Sequence, residues 1–209
     1  MRTLALLAAV SLILAAPIPS SLLAADAPTT KPAPKPLPPL DAKNSVEASI
    51  EGRPATWRVY KGWKEQQLSG GVARSWVVPP APKNVNEPIK TFTVSILSGG
   101  KPDATIEGAA DLNKQALQQR DPELKIVKDE AIDFAGGKGW VLVYDTVQTG
   151  TVRDDKGKET RVKTAVRSQR ILSLHGGYSA TLTFTCAPGE FDKLLRNVER
   201  AFGSFAWKD

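Results

Sequence analysis

Between positions 191 and 202, Phe191, Leu194, Leu195, Val198 and Phe202 recur at three- and four-residue spacings that collect them on one side of an α-helix. Charged and amide side chains fill the other side. A face this apolar has to be covered, and the segments before it read as strands. The helix is therefore expected to cap an antiparallel sheet. Pro188-Gly189-Glu190 leads into it and Gly203 ends it, after which Ser204-Phe205-Ala206-Trp207 is expected to pack under the sheet as a short tail.

The strand signals come from alternation and from the residues that interrupt it. Thr56-Trp57-Arg58-Val59-Tyr60 reads as a first strand, with Lys61-Gly62-Trp63-Lys64 as the turn leaving it. Residues 72–78 form a second, preceded by Gly70-Gly71 and stopped by Pro79-Pro80. Residues 91–97 place Phe92, Val94 and Ile96 on one side of a third. These three are expected to be neighbours in one antiparallel sheet. Further strands are expected over 124–134, 139–147, 161–174 and 178–186.

A first helix is expected over 104–120, closed by Asp121-Pro122. Its stripe is partial, drawing on Ile106, Ala109, Ala110, Asn113 and Leu117 and extended by Leu112 and Ala116, while Gln115, Gln118 and Gln119 face water.

Upstream, Met1-Arg2 precedes an apolar run through Ala16 that gives way to small residues at Ala24-Ala25, the layout of a signal peptide over 1–25. Pro17 and Pro19 cut the run short of a membrane span, so no stable span is expected once the leader is removed. Neither candidate cleavage site is followed directly by a cysteine, the only one being Cys186, which excludes the usual lipoprotein anchor. Residues 26–45 are rich in Pro and Ala and read as a tether, since proline removes backbone donors and favours extended conformations. Residues 46–209 are long enough for one hydrophobic core and read as a single exported domain, periplasmic or extracellular.

The inventory of reactive groups is short. Cys186 is the only cysteine, so no internal disulfide forms. It shares a strand face with Leu182 and Phe184 and reads as a small buried hydrophobe. His175 is the only histidine, in the tight turn His175-Gly176-Gly177-Tyr178, so a histidine-rich zinc site cannot form within one chain. The hairpin also places it near the opposite end of the strand from Cys186, which disfavours a nucleophile–base pair. Gly136-Gly137-Lys138-Gly139 leads into Trp140 and a strand, so it reads as a hairpin turn in place of a phosphate loop. In Asp154-Asp155-Lys156-Gly157-Lys158-Glu159 a lysine occupies a position that calcium would need for oxygen. That segment reads as the tip of a long hairpin. Neither metal nor cofactor is expected.

The formal net charge is +6, with the densest basic stretch over 156–170. That stretch carries no aromatic residue, and a nucleic-acid surface would interleave the two. A solvated strand face accounts for it, and no nucleic-acid partner is expected.

The order of elements resembles the PsbP-like domains, including their small exported bacterial relatives. The residues carrying the resemblance are the opening strand and aromatic turn from Trp57 to Trp63, the helix around 109–120 after the third strand, and the long antiparallel meander. The closing strand over 178–187, the helix over 191–202 and the step Ser204-Phe205 complete it. The resemblance implies an α+β fold, an antiparallel β-sheet flanked by helices in an α/β/α sandwich. It also implies a noncatalytic binding or assembly-accessory role toward an extracytoplasmic protein or a membrane-associated complex, and it transfers no set of functional residues. Candidate contact residues are Trp63 and Lys64 in the opening turn, Arg153 and Lys156 in the long hairpin, and His175 and Tyr178 in the later turn. A second reading is a small-ligand or lipid binder, with Trp57, Tyr60, Trp63, Trp76, Trp140 and Tyr144 lining a pocket. A third is a hydrolase with polar groups converging in a cleft.

Overall fold

The structure, a computed structural model, describes residues 40–208 apart from 67, 69, 83–86, 101–103 and 154–158. Its elements are β1 (Ser45–Ser49), β2 (Ala55–Tyr60), β3 (Lys64–Gln66), β4 (Ala73–Val77), β5 (Thr91–Ser98), α1 (Ile106–Arg120), β6 (Lys125–Phe134), β7 (Gly137–Arg153), β8 (Glu159–His175), β9 (Tyr178–Cys186), α2 (Phe191–Phe202) and β10 (Ala206–Trp207). Seven strands form one antiparallel sheet in the order β3-β4-β5-β9-β8-β7-β6, and three form another in the order β1-β2-β10.

Alternation assigns the two faces of the large sheet. Phe92, Val94 and Ile96 of β5 stand beside Phe184, Leu182 and Ala180 of β9, and all six are fully buried. Val141, Val143 and Ile171 continue this face and meet the buried stripe of α2. The small sheet packs into the same core through Trp57 and Val59. On the other face Ile106 and Ala110 of α1 cover Leu172, with Trp140 and Leu174 against them. The result is an α/β/α sandwich with two flanking helices, as the resemblance implies.

Both helices have evident local causes. Thr105 caps α1 by accepting from the Gly108 N–H at 3.1 Å. Only Ile106 and Ala110 of this helix are buried, and Leu112, expected in the stripe, is 69% exposed. By contrast α2 buries Phe191, Leu194, Val198, Ala201 and Phe202 as its spacing requires.

The strand carrying Trp57 is not a neighbour of β4 and β5. It lies in the small sheet, between β1 and β10. The missing partner was β1, whose Ser-Val-Glu-Ala-Ser sequence has a weak apolar pattern and exposes Val46. Beyond α2, Ser204 Oγ accepts from the Arg58 N–H at 2.8 Å, Phe205 is buried, and β10 pairs with Thr56 and Ala55. The tail is thus a third strand of the small sheet.

The hairpin turns follow backbone conformation. Ala135 and Gly136 have φ of 52° and 80° between β6 and β7, and Gly176 and Gly177 have 54° and 80° between β8 and β9, the left-handed pairs that tight hairpins require. The β7–β8 hairpin extends further than alternation suggested. β6 ends its cover of β7 at Lys125↔Asp145, and β9 ends its cover of β8 at Arg167↔Cys186. Eight further pairs, from Thr146↔Val166 to Arg153↔Glu159, project as a two-stranded arm roughly 25 Å long at about 3.3 Å per residue.

Candidate functional site

A cleft opens where the turn after β2, the loop after β4 and α2 converge. Tyr60 accepts from the Trp63 N–H at 3.0 Å, which closes the turn and sets the two rings side by side, with centroids 5.3 Å apart and planes tilted by 46°. Trp63 also leans on buried Phe92, centroid to centroid 5.4 Å, so its position is fixed by the core. Val78, Pro79 and Leu194 add apolar walls, and Asn44, Lys61, Asn197 and Arg200 form a polar and basic rim. The cavity measures about 570 Å³, within the range of small-molecule and peptide-anchor sites.

The opposite wall is held by a buried cation. Lys90, whose side chain is 3% exposed, donates to the Pro80 carbonyl at 3.0 Å and lies 3.2 Å from the Glu190 carboxylate at the start of α2. It thereby ties the proline loop to the helix.

The six candidate contact residues do not share one end of the sheet. Trp63 lines the cleft and Lys64, the first residue of β3, is exposed next to it. In register Lys64 faces Val77, and that end of the sheet continues through Thr91 and Thr185. Arg153 ends the arm on the far side of the same end, and Lys156 falls outside the described residues. His175 and Tyr178 close the β8–β9 hairpin at the opposite end. There the exposed His175 ring stacks on Trp207 at 5.3 Å, and the Arg53 guanidinium sits 5.9 Å from the centre of the Tyr178 ring. The opening turn was legible as aromatic and basic. Pro79, Asn197 and Arg200 were not, because nothing in the sequence brings the loop after β4 and α2 to one place.

Most of the aromatics offered as a pocket lining belong to packed interior. Trp57, Trp76 and Tyr144 are nearly inaccessible, with Trp57 and Trp76 edge-to-face at 6.0 Å. Trp140 lies under Lys114 and donates to Asp129 at 2.5 Å. Of that set only Tyr60 and Trp63 line the cleft.

Among the described residues the reactive groups do not converge. Cys186 is fully buried and its thiol is pushed up to about 12 by burial, with Glu190 adding to the effect. His175 lies at the other end of the strand pair. Burial also holds the Glu199 carboxyl above its usual range, offset in part by Lys128 and Arg196. Its cavity of about 260 Å³ offers Lys128 and Gln169 as further polar groups, and no second carboxylate. Among the described residues no group of three or more His, Cys, Asp or Glu side chains could hold a metal ion. No helix among them is long and apolar enough to cross a membrane.

The fold has relatives among solved structures. The cyanobacterial PsbP (CyanoP) of Synechocystis sp. PCC 6803 superposes with a TM-score of 0.53 at 13% identity, covering 80% of this chain and 95% of its own. The Ran-binding protein Mog1p of Saccharomyces cerevisiae superposes with a TM-score of 0.52 at 12% identity, covering 79% and 96%. These likenesses establish a shared small α+β sandwich. Known protein families and curated protein sequences give no match.

Proposed function

We propose that this chain is an exported, noncatalytic binding or assembly-accessory protein of the PsbP-like kind, and that it captures an extracytoplasmic protein or membrane-associated complex through the Trp63 cleft. The carrying observation is the cleft itself: an aromatic pair braced by the core, open to solvent, with a basic and amide rim and no nucleophile beside a base. Such a surface supplies an anchor pocket with polar contacts around it, the usual anatomy of a recognition site. The order of elements shared with PsbP-like domains, and the fold shared with cyanobacterial PsbP, support the family reading. The leader and the proline-rich tether support export.

The test is a pull-down of the mature chain from extracytoplasmic and membrane extracts, read by mass spectrometry. Trp63→Ala and Lys64→Glu are the cleft variants, and Arg153→Ala, Lys156→Ala, His175→Ala and Tyr178→Ala cover the other candidate contacts. A stoichiometric protein partner lost in both cleft variants, with the thermal midpoint retained in Lys64→Glu, is the expected result. A small molecule or lipid that copurifies in place of a protein, and is lost in the same variants, would replace protein capture by ligand carriage. Loss confined to His175→Ala and Tyr178→Ala would move the contact to the opposite end of the sheet.

A further inference from the structure

The projecting arm has two edges, and they differ in chemistry. Among the described residues no strand pairs with either edge beyond Asp145 and Arg167. An isolated two-stranded ribbon is marginal in water, and exposed strand edges invite pairing unless charge, proline or a bulge blocks it. The other long edge of the large sheet is blocked in this way: β6 carries Lys125, Lys128, Asp129, Glu130 and Asp133, with a register shift between Ile126 and Lys128. On the arm, the β8 edge carries Glu159, Arg161 and Lys163. The β7 edge from Thr146 to Val152 reads Thr-Val-Gln-Thr-Gly-Thr-Val, with no charge and no proline.

The backbone shows which groups this edge offers. The Asp121 carboxylate accepts from the Val147 N–H and from the Thr146 hydroxyl, which closes the pairing left by β6. Val147 therefore directs its N–H away from β8. Because alternate residues of a strand point their amides to the same edge, Thr149 and Thr151 present theirs outward as well. Gly150 lies between them, exposed, and a Cβ there would meet nothing within 4 Å.

We infer that the β7 edge of the arm pairs with the β7 edge of a second copy of this chain, antiparallel, about a twofold axis through Gly150. Thr149 of each copy then exchanges both backbone hydrogen bonds with Thr151 of the other, and the two glycines face each other without side chains. The five residues from Gln148 to Val152 then face one another without a charge among them, and Arg153 of each copy faces Val147 of the other. The same operation on β8, centred on Val162, would set Arg161 against Lys163 of the second copy, a like-charge pair that the β7 edge avoids. The inference is independent of the Trp63 cleft.

The experiment combines light scattering on the mature chain with cross-linking by cysteine. The wild type is expected to pass from monomer to dimer over a range on the order of 1–100 μM. Thr149→Lys, which places a charge on the edge, is expected to leave it monomeric. Facing residues in the non-hydrogen-bonded pair lie about 4.5 Å apart, within disulfide reach, so Gly150→Cys is expected to form a linked dimer on mild oxidation. Gln148→Cys, equally exposed but facing Val152 of the second copy, is expected to link roughly tenfold more slowly, because it lacks the raised local concentration. A chain monomeric throughout that range, a dimer indifferent to Thr149→Lys, or equal linking by the two cysteines would each overturn the inference.

Discussion

Phe92 and Phe184 form a matched pair in which the worth of aromatic clustering can be measured. They stand opposite each other in the β5–β9 register, on one face, and both are fully buried. Their ring neighbours differ. Phe92 meets Trp63 at 5.4 Å, Trp76 at 6.0 Å and Phe202 at 5.5 Å, whereas Phe184 meets Phe191 at 5.9 Å. Replacing either by Leu removes similar apolar surface and leaves a similar space, a shared cost of about 1–2 kcal/mol. Each lost ring pair adds about 0.5–1.5 kcal/mol, so two extra pairs make Phe92→Leu costlier than Phe184→Leu by about 1–3 kcal/mol. For a domain of this size that difference is about 2–12 °C in thermal midpoint. Urea titration should show both midpoints lowered at unchanged slope, Phe92→Leu the more. Equal losses, or a larger loss for Phe184→Leu, would refute the argument that the rings around Phe92 add to simple burial.

Three further perturbations follow from local geometry. At Gly139 an added Cβ would lie 2.8 Å from Phe134 Cβ and 3.1 Å from the Leu172 carbonyl, so Gly139→Ala should lower stability by about 1–3 kcal/mol in chemical denaturation, while Gly150→Ala changes it little. The two hydrogen bonds from Arg167, at 2.7 and 2.8 Å, hold the Asp145 carboxyl below its usual range against desolvation. The unfolded chain therefore takes up this proton first. The stabilisation is complete above the ordinary carboxylate range near pH 4 and is lost as pH falls through the depressed value, so midpoints recorded down the acid limb should fall less steeply in Asp145→Asn. Cys186, buried with its thiol pushed up to about 12, should resist a disulfide thiol reagent at pH 8 and react only on unfolding; modification of the folded chain would contradict its placement.

Sequence reasoning succeeded where a single period governed a whole segment. The face of α2 is dictated by Phe191, Leu194, Val198 and Phe202, and the extent of β9 by strict alternation from Ala180 to Cys186. It failed where stability comes from a partner distant in sequence. β1 and β10 have little pattern of their own and exist because they flank β2, which takes hydrogen bonds from both. The same limit applies to the cleft. Trp63 announces itself as an aromatic in a turn, but the wall opposite depends on Lys90 tying the proline loop to α2, a contact spanning 100 positions from Lys90 to Glu190. The length of the arm was only half legible, since Thr149, Thr151 and Val152 favour a strand while Gly150 weakens the alternation.

Trp63 serves the core and the cleft together, which shapes how its role is separated from folding. Its ring contact with Phe92 means that Trp63→Ala removes core packing as well as the cleft wall, so lost capture in that variant alone would not distinguish the two. Lys64 touches the question from the other side. It is exposed at the start of β3, pairs in register with Val77 through its backbone, and can be changed to Glu without altering the aromatic cluster. Reversing the charge of Lys64, the residue after the cleft's Trp63, next to a rim that carries Lys61 and Arg200, chiefly slows association with an acidic partner and weakens its salt dependence. If the cleft recognises its partner, Lys64→Glu should therefore leave the thermal midpoint unchanged while lowering the association rate measured against the captured protein. An unchanged rate in Lys64→Glu, together with a lowered midpoint in Trp63→Ala, would make Trp63 a structural residue and leave the cleft without a role in recognition.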